Sequence, residues 1–134
     1  FMQRAINYTY NDKEISIYGA KGLDSAKDST YIDDQVDGIL KCLDYETKYD
    51  VFNIGTSDPQ KIRLWIEEIE KSMNKKVKYK VTESDRGDVS SSADISKAKK
   101  VLKYSPRMKL PEGVRRQVEI FNLMPEWYKT LREV

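Results

Sequence analysis

Residues 27–43 place the tightest constraint on this chain. A polar run, Lys27-Asp28-Ser29-Thr30-Tyr31-Ile32-Asp33-Asp34-Gln35, gives way to Val36, Ile39, Leu40 and Leu43, which recur at i, i+3, i+4 and i+7. That spacing predicts an amphipathic helix reaching about Tyr45, with Asp33 as N-cap because its carboxylate can accept from first-turn amides. The junction also has the chemistry of an anion site. Free N–H groups and the positive end of the helix dipole lie just after the ammonium of Lys27. The same residues equally describe an ordinary capped helix behind a solvated loop.

At 134 residues the chain is long enough for one domain, 1–134, with a sizeable core. Its 24 basic and 22 acidic residues nearly cancel, so no global field points to nucleic acid or to a membrane surface as partner. The lone Cys42 cannot form an internal disulfide, which suits a reducing, cytoplasmic setting. Without histidine or a second cysteine, no metal site is expected. No apolar run approaches the ~20 residues of a membrane span, and no signal peptide opens the chain. It begins at Phe1 rather than Met, which suggests that an upstream part has been removed.

In chain order, residues 1–10 read as the end of a helix and Glu14 to Tyr18 as a strand stopped by Gly19. A loop from Ala20 to Ala26 delivers Lys27, and Val51-Phe52-Asn53-Ile54 reads as a second strand. Asp58 and Pro59 predict a helix start, with Ile62, Trp65, Ile66, Ile69 and Met73 on one face. Val77, Tyr79 and Val81 alternate with lysines as an edge or half-exposed strand would. After a polar loop, 82–92, Asp94 caps a short helix bearing Ala98, Val101 and Leu102. Pro111 opens a last helix with Val114, Val118 and Phe121 on one face, which Pro125 breaks before Trp127, Tyr128 and Leu131.

Reaction machinery is sparse. Without histidine, neither a Ser-His-Asp nor a Cys-His arrangement can be built. None of the nine tyrosines has a lysine four residues later, and the six glycines form no G-x-G-x-x-G loop. What remains has the character of half a binding site.

Five blocks in one order carry a resemblance. They are Ile15-Ser16-Ile17-Tyr18-Gly19, residues 27–38, Val51-Phe52-Asn53-Ile54-Gly55, Gly87-Asp88-Val89 with Ala93-Asp94-Ile95-Ser96-Lys97-Ala98, and Pro111-Glu112-Gly113. Over residues 1–120 or so the chain resembles the C-terminal, substrate-binding half of the extended short-chain dehydrogenases, the NAD-dependent nucleotide-sugar epimerases and dehydratases, with closest likeness to UDP-glucuronate and UDP-glucose 4-epimerases. The resemblance implies an α/β (α+β) fold: a small mixed domain of short strands and about five helices, part of a Rossmann-type enzyme. It implies that an N-terminal Rossmann half holds NAD and the catalytic Tyr and Lys. There, transient hydride transfer to NAD and rotation of a keto-sugar would invert one carbon. No catalytic residue is expected in this chain, which alone should bind no NAD and be inactive.

The resemblance also implies roles for particular residues. Ser16 and Tyr18 match strand positions flanking the base, and Ile62 an apolar position near the nucleotide. Lys27 stands where an arginine usually meets the pyrophosphate; it supplies charge without a bidentate fork. Asp88 matches an acidic residue beside the ribose, and Arg86 is displaced by one position from a second phosphate-binding arginine, where this chain has Asp85. The implied partners are a UDP-sugar or another nucleotide sugar and the N-terminal Rossmann half, whose sheet the Val51–Ile54 strand would join. An apolar edge left bare there would favour self-association or marginal stability. The alternative is a free-standing, non-catalytic nucleotide-binding or protein-interaction module. Which sugar, which base and which reaction of the family stay open.

Overall fold

A computed structural model of the chain describes residues 1–19, 21–83 and 90–130. Its elements run α1 (Met2–Tyr10), β1 (Ile15–Tyr18), a 3-10 turn (Gly22–Asp24), β2 (Ala26–Lys27), α2 (Ile32–Leu43), β3 (Gln60–Lys61), α3 (Ile62–Met73), β4 (Tyr79–Thr82), α4 (Ser96–Leu102), α5 (Leu110–Leu123) and α6 (Glu126–Lys129). The fold is the expected mixture of short strands and helices, with six helices among the described residues where about five were anticipated. β1 and β4 pair in parallel, Ile15 opposite Tyr79 through Tyr18 opposite Thr82. β2 and β3 pair antiparallel, and an isolated parallel bridge joins Lys27 to Ser91.

Two apolar clusters hold the chain together. In the larger, Ile15 and Ile17 of β1 meet Ala5 and Ile6 of α1, the Ile62, Trp65, Ile66 and Ile69 stripe of α3, and Val114, Val118 and Phe121 of α5. The predicted stripes of α3 and α5 therefore face each other, as amphipathic helices require. The smaller cluster gathers Ile95, Ala98, Leu102 and Tyr104, with Tyr45, Phe52 and Ile54 packed against it. Tyr104 donates its hydroxyl to the Gly55 carbonyl at 2.9 Å, so its one polar atom is satisfied inside that cluster.

Several expectations are corrected. α2 begins at Ile32 with Tyr31 as N-cap, so Asp33 lies in the first turn, and the helix ends at Leu43. The inward face of α2 is Asp34 and Gly38; Val36, Ile39, Leu40 and Leu43 are exposed. The Asp58-Pro59 pair does not start α3, which begins at Ile62 after Lys61. The delay has a cause: the amides of Thr56 and Ser57 are held by the Asp28 carboxylate, and Gln60 and Lys61 are paired with β2. Val51–Ile54 forms no strand, because no strand lies alongside it among the described residues. Val77 is buried as expected, whereas Tyr79 and Val81 are exposed on the edge strand β4. The N-cap of α4 is Ile95 rather than Asp94, which sits one residue earlier and accepts from the Ser96 amide at 2.9 Å, and Pro125 separates α5 from α6. Leu131 lies outside the described residues.

Candidate nucleotide-binding groove

Asp28 organises the region around Lys27. Its carboxylate accepts from the Thr56 amide at 3.0 Å, the Ser57 amide at 3.0 Å and the Ala93 amide at 2.9 Å, and also from the Thr56 hydroxyl. Burial pushes this carboxyl up, but the four hydrogen bonds outweigh it and hold it below its ordinary value. One side chain thereby clamps three segments that are far apart in sequence. Gly55 makes the approach possible, since a Cβ there would stand 2.5 Å from the Ala93 Cβ and 3.2 Å from Asp28 Oδ2. The backbone adds further ties: the Asp28 amide donates to the Ser91 carbonyl at 3.0 Å, and the Ser91 amide to Ala26 at 3.2 Å. Lys27 therefore projects from a short strand fixed on both edges, by β3 and by Ser91.

A groove of about 530 Å³ opens beside it. It is lined by Phe1, Met2 and Gln3 at the start of α1, by Lys27, Asp28 and Ser29, by Ile62 and Trp65 of α3, and by Ser91. That size lies in the usual range for small-ligand sites. Among the described residues that line it Lys27 is the only basic side chain, and the Asp28 carboxylate beside it accepts from three amides. The indole Nε1 of Trp65 is buried and meets no acceptor among the described residues. A donor of that kind is uncommon in a folded interior. A smaller cavity shares Met2, Ser29 and Trp65 and continues to Thr30, Tyr31, Asp58, Gln60 and Lys109. There Lys109 pairs with Asp58 at 3.3 Å.

Of the residues singled out from sequence, the structure brings Lys27 and Ile62 together in this groove. Ile62 is also a core residue, 7% exposed. Ser16 and Tyr18 lie on the face of β1 opposite its core residues Ile15 and Ile17, with Tyr18 exposed, and neither lines the groove. Arg86 and Asp88 lie outside the described residues. No α2 residue lines the groove, and the first turn of α2 already carries Asp33 and Asp34, so its positive end is met by the chain's own carboxylates. Asp34 accepts from the amides of Arg107 and Met108 at 3.0 and 2.9 Å and is a structural tie. Trp65 was missed as a site residue, although it stands one turn beyond Ile62 on the same face, the spacing that could have found it. Among the described residues no cluster of His, Cys, Asp or Glu could hold a metal ion, and no helix is long and apolar enough to cross a membrane.

No family model matches the chain. Among characterised sequences, it is 37% identical over 117 residues to the UDP-glucuronate 4-epimerase of Thermodesulfobacterium geofontis, a match covering 86% of this chain and 35% of that protein. An uncharacterized protein of Methanocaldococcus jannaschii is 40% identical over 116 residues, with the same two coverages. Among solved structures, the UDP-glucuronic acid 4-epimerase of Bacillus cereus in complex with UDP-glucuronic acid and NAD superposes with a TM-score of 0.77 at 32% identity. That match covers 90% of this chain and 39% of the enzyme. The chain thus spans a little over a third of the length of the relatives it matches.

Proposed function

We propose, from the kinship of this chain with the C-terminal half of the NAD-dependent nucleotide-sugar epimerases of the extended short-chain dehydrogenase family, that it is the nucleotide-sugar-binding portion of such an enzyme. The observation that carries the reading is the Lys27 groove. One ammonium is carried on a strand fixed at both edges, and the apolar and aromatic side chains of Ile62 and Trp65 line the groove beside it. A pyrophosphate needs the cation, and the rest of a nucleotide sugar needs flat apolar surface with a few directed donors.

In this reading the chain binds and orients its ligand and performs no bond-breaking step. It has no Tyr-x-x-x-Lys pair and no glycine-rich dinucleotide loop, so NAD and the hydride chemistry belong to the Rossmann half. Ser16, Tyr18, Arg86 and Asp88 are assigned to the same ligand by resemblance alone. Calorimetry with UDP-glucuronic acid tests the proposal. Lys27→Ala should weaken binding by about 1.5 to 3 kcal/mol, the worth of a hydrogen bond to a charged group, and Lys27→Arg should retain or improve it. Equal affinity in the wild-type and alanine chains would return Lys27 to a solvated strand residue. The isolated chain should show no saturable binding of NAD.

A further inference from the structure

The backbone that carries Lys27 is too short to hold itself. Its strand, β2, has two residues: Ala26 faces Lys61 and Lys27 faces Gln60 on one edge, and an isolated bridge joins Lys27 to Ser91 on the other. Even a full two-stranded hairpin is only marginally stable alone in water, so a ladder this short needs support from outside it.

Asp28, the next residue, supplies that support on both sides at once. Its Oδ1 accepts from the amide and the hydroxyl of Thr56, and its Oδ2 accepts from the amides of Ser57 and Ala93. Residues 56 and 57 lead into β3, which holds one edge of Lys27, and Ala93 lies two residues beyond Ser91, which holds the other. Oδ2 alone reaches both segments. The groove wall hangs from the same backbone, because Ile62 follows β3 directly and donates its amide to the Ser25 carbonyl at 2.9 Å. Only a carboxylate offers two acceptor oxygens with no donor of its own, and its bonds to amides are charge-assisted.

We propose that Asp28 is the positioning residue of this groove: by tying 56–57 to 93 it fixes the strand from which Lys27 meets the phosphates of a nucleotide sugar, and so sets how much Lys27 contributes to affinity. The proposal rests on the preceding reading of the groove. A clamp that served the fold alone would lower the melting temperature yet leave the contribution of Lys27 unchanged wherever the chain is folded.

The test is a double-mutant cycle, read by calorimetry with UDP-glucuronic acid on the wild type, Lys27→Ala, Asp28→Asn and the double variant, at a temperature where circular dichroism shows all four folded. Asn keeps the size of the side chain but has one acceptor oxygen, and its NH2 would face amide donors, so one half of the clamp opens. Lys27→Ala should weaken binding by about 10- to 150-fold in the wild-type background and by less than about threefold where Asp28→Asn is already present. Without ligand, the Ser91 amide, which donates to the Ala26 carbonyl, should exchange at least about tenfold faster in Asp28→Asn when measured against the core amide of Ile69. Equal loss from Lys27→Ala in both backgrounds overturns the proposal and leaves Lys27 as a phosphate ligand, and equal acceleration at Ser91 and Ile69 overturns it too. No loss from Lys27→Ala in either background defeats the reading of the groove, and the proposal with it. Should Asp28→Asn fail to fold, Thr56→Val takes its place by removing the hydroxyl that donates to Oδ1. A Lys27 contribution that shrinks with Thr56→Val supports the proposal, and one that stays whole overturns it.

Discussion

Asp28 shows how much can rest on one residue whose neighbours, not its own position, decide its role. Removing it by Asp28→Ala would strand the amides of Thr56, Ser57 and Ala93, and should cost about 2 to 4 kcal/mol in denaturant unfolding. Its folded-state pKa lies below the unfolded one, so its contribution is whole at neutral pH and lost as pH falls through the folded value. Wild-type stability should therefore drop below about pH 4 more than that of Asp28→Asn. Tyr104 has the opposite sign. Burial, helped by Asp34, Asp37 and Asp28, pushes its hydroxyl up to about 12, so the wild-type chain should lose stability between about pH 10 and 12 while Tyr104→Phe loses less. A shallower fall at high pH in the wild type would contradict this. From sequence, Asp28 stood out only as part of the polar run before α2, and its three amide partners were not legible. They come from residues 56, 57 and 93, and nothing local in the chain specifies that closure.

At the scale of elements, α3 and α5 were legible because apolar spacing and core packing agree: Ile62, Trp65, Ile66 and Ile69 face Val114, Val118 and Phe121. Ile69→Ala, at a fully buried position in that contact, should cost about 2 to 5 kcal/mol. α2 was legible as a helix for the same reason and misleading as to its face, because periodicity reports a stripe and not what covers it. Gly38 is the sensitive point of that helix. Alanine would gain about 1 kcal/mol of helix propensity, but its Cβ would collide with the Ile54 side chain. Overpacking costs of about 1 to 3 kcal/mol should win, giving a net loss in thermal unfolding. A stabilised Gly38→Ala chain would mean that α2 can lift from residue 54. The start of α3 and the 51–54 segment were misread because local signals, Asp58-Pro59 and a run of apolar residues, were overridden by long-range pairing in one case and its absence in the other.

The described residues gather into two apolar clusters, the smaller tied internally by Tyr104 to Gly55, with Asp28 joining residues 56–57 to 93 and a groove beside Lys27. Five short blocks of sequence resemble nucleotide-sugar epimerases, and the similarity to the Thermodesulfobacterium and Bacillus enzymes agrees. What the blocks could not supply was the assembly of the groove. Lys27 and Ile62 meet there, Ser16 and Tyr18 do not line it, and Trp65 enters it because the Asp28 clamp and the α3 packing set where the elements stand. The central claim, that this groove receives a nucleotide sugar, has a built-in reporter. The chain has two tryptophans: Trp65 in the groove with its indole N–H unpartnered, and Trp127, 67% exposed on α6. Titration of the chain with UDP-glucuronic acid, followed by nitrogen–proton NMR of the two indole signals, should move the Trp65 signal saturably, leave Trp127 in place, and lose the effect in Lys27→Ala. A Trp65 signal that stays fixed to millimolar ligand while other parts of the chain respond would place the ligand elsewhere and contradict the account.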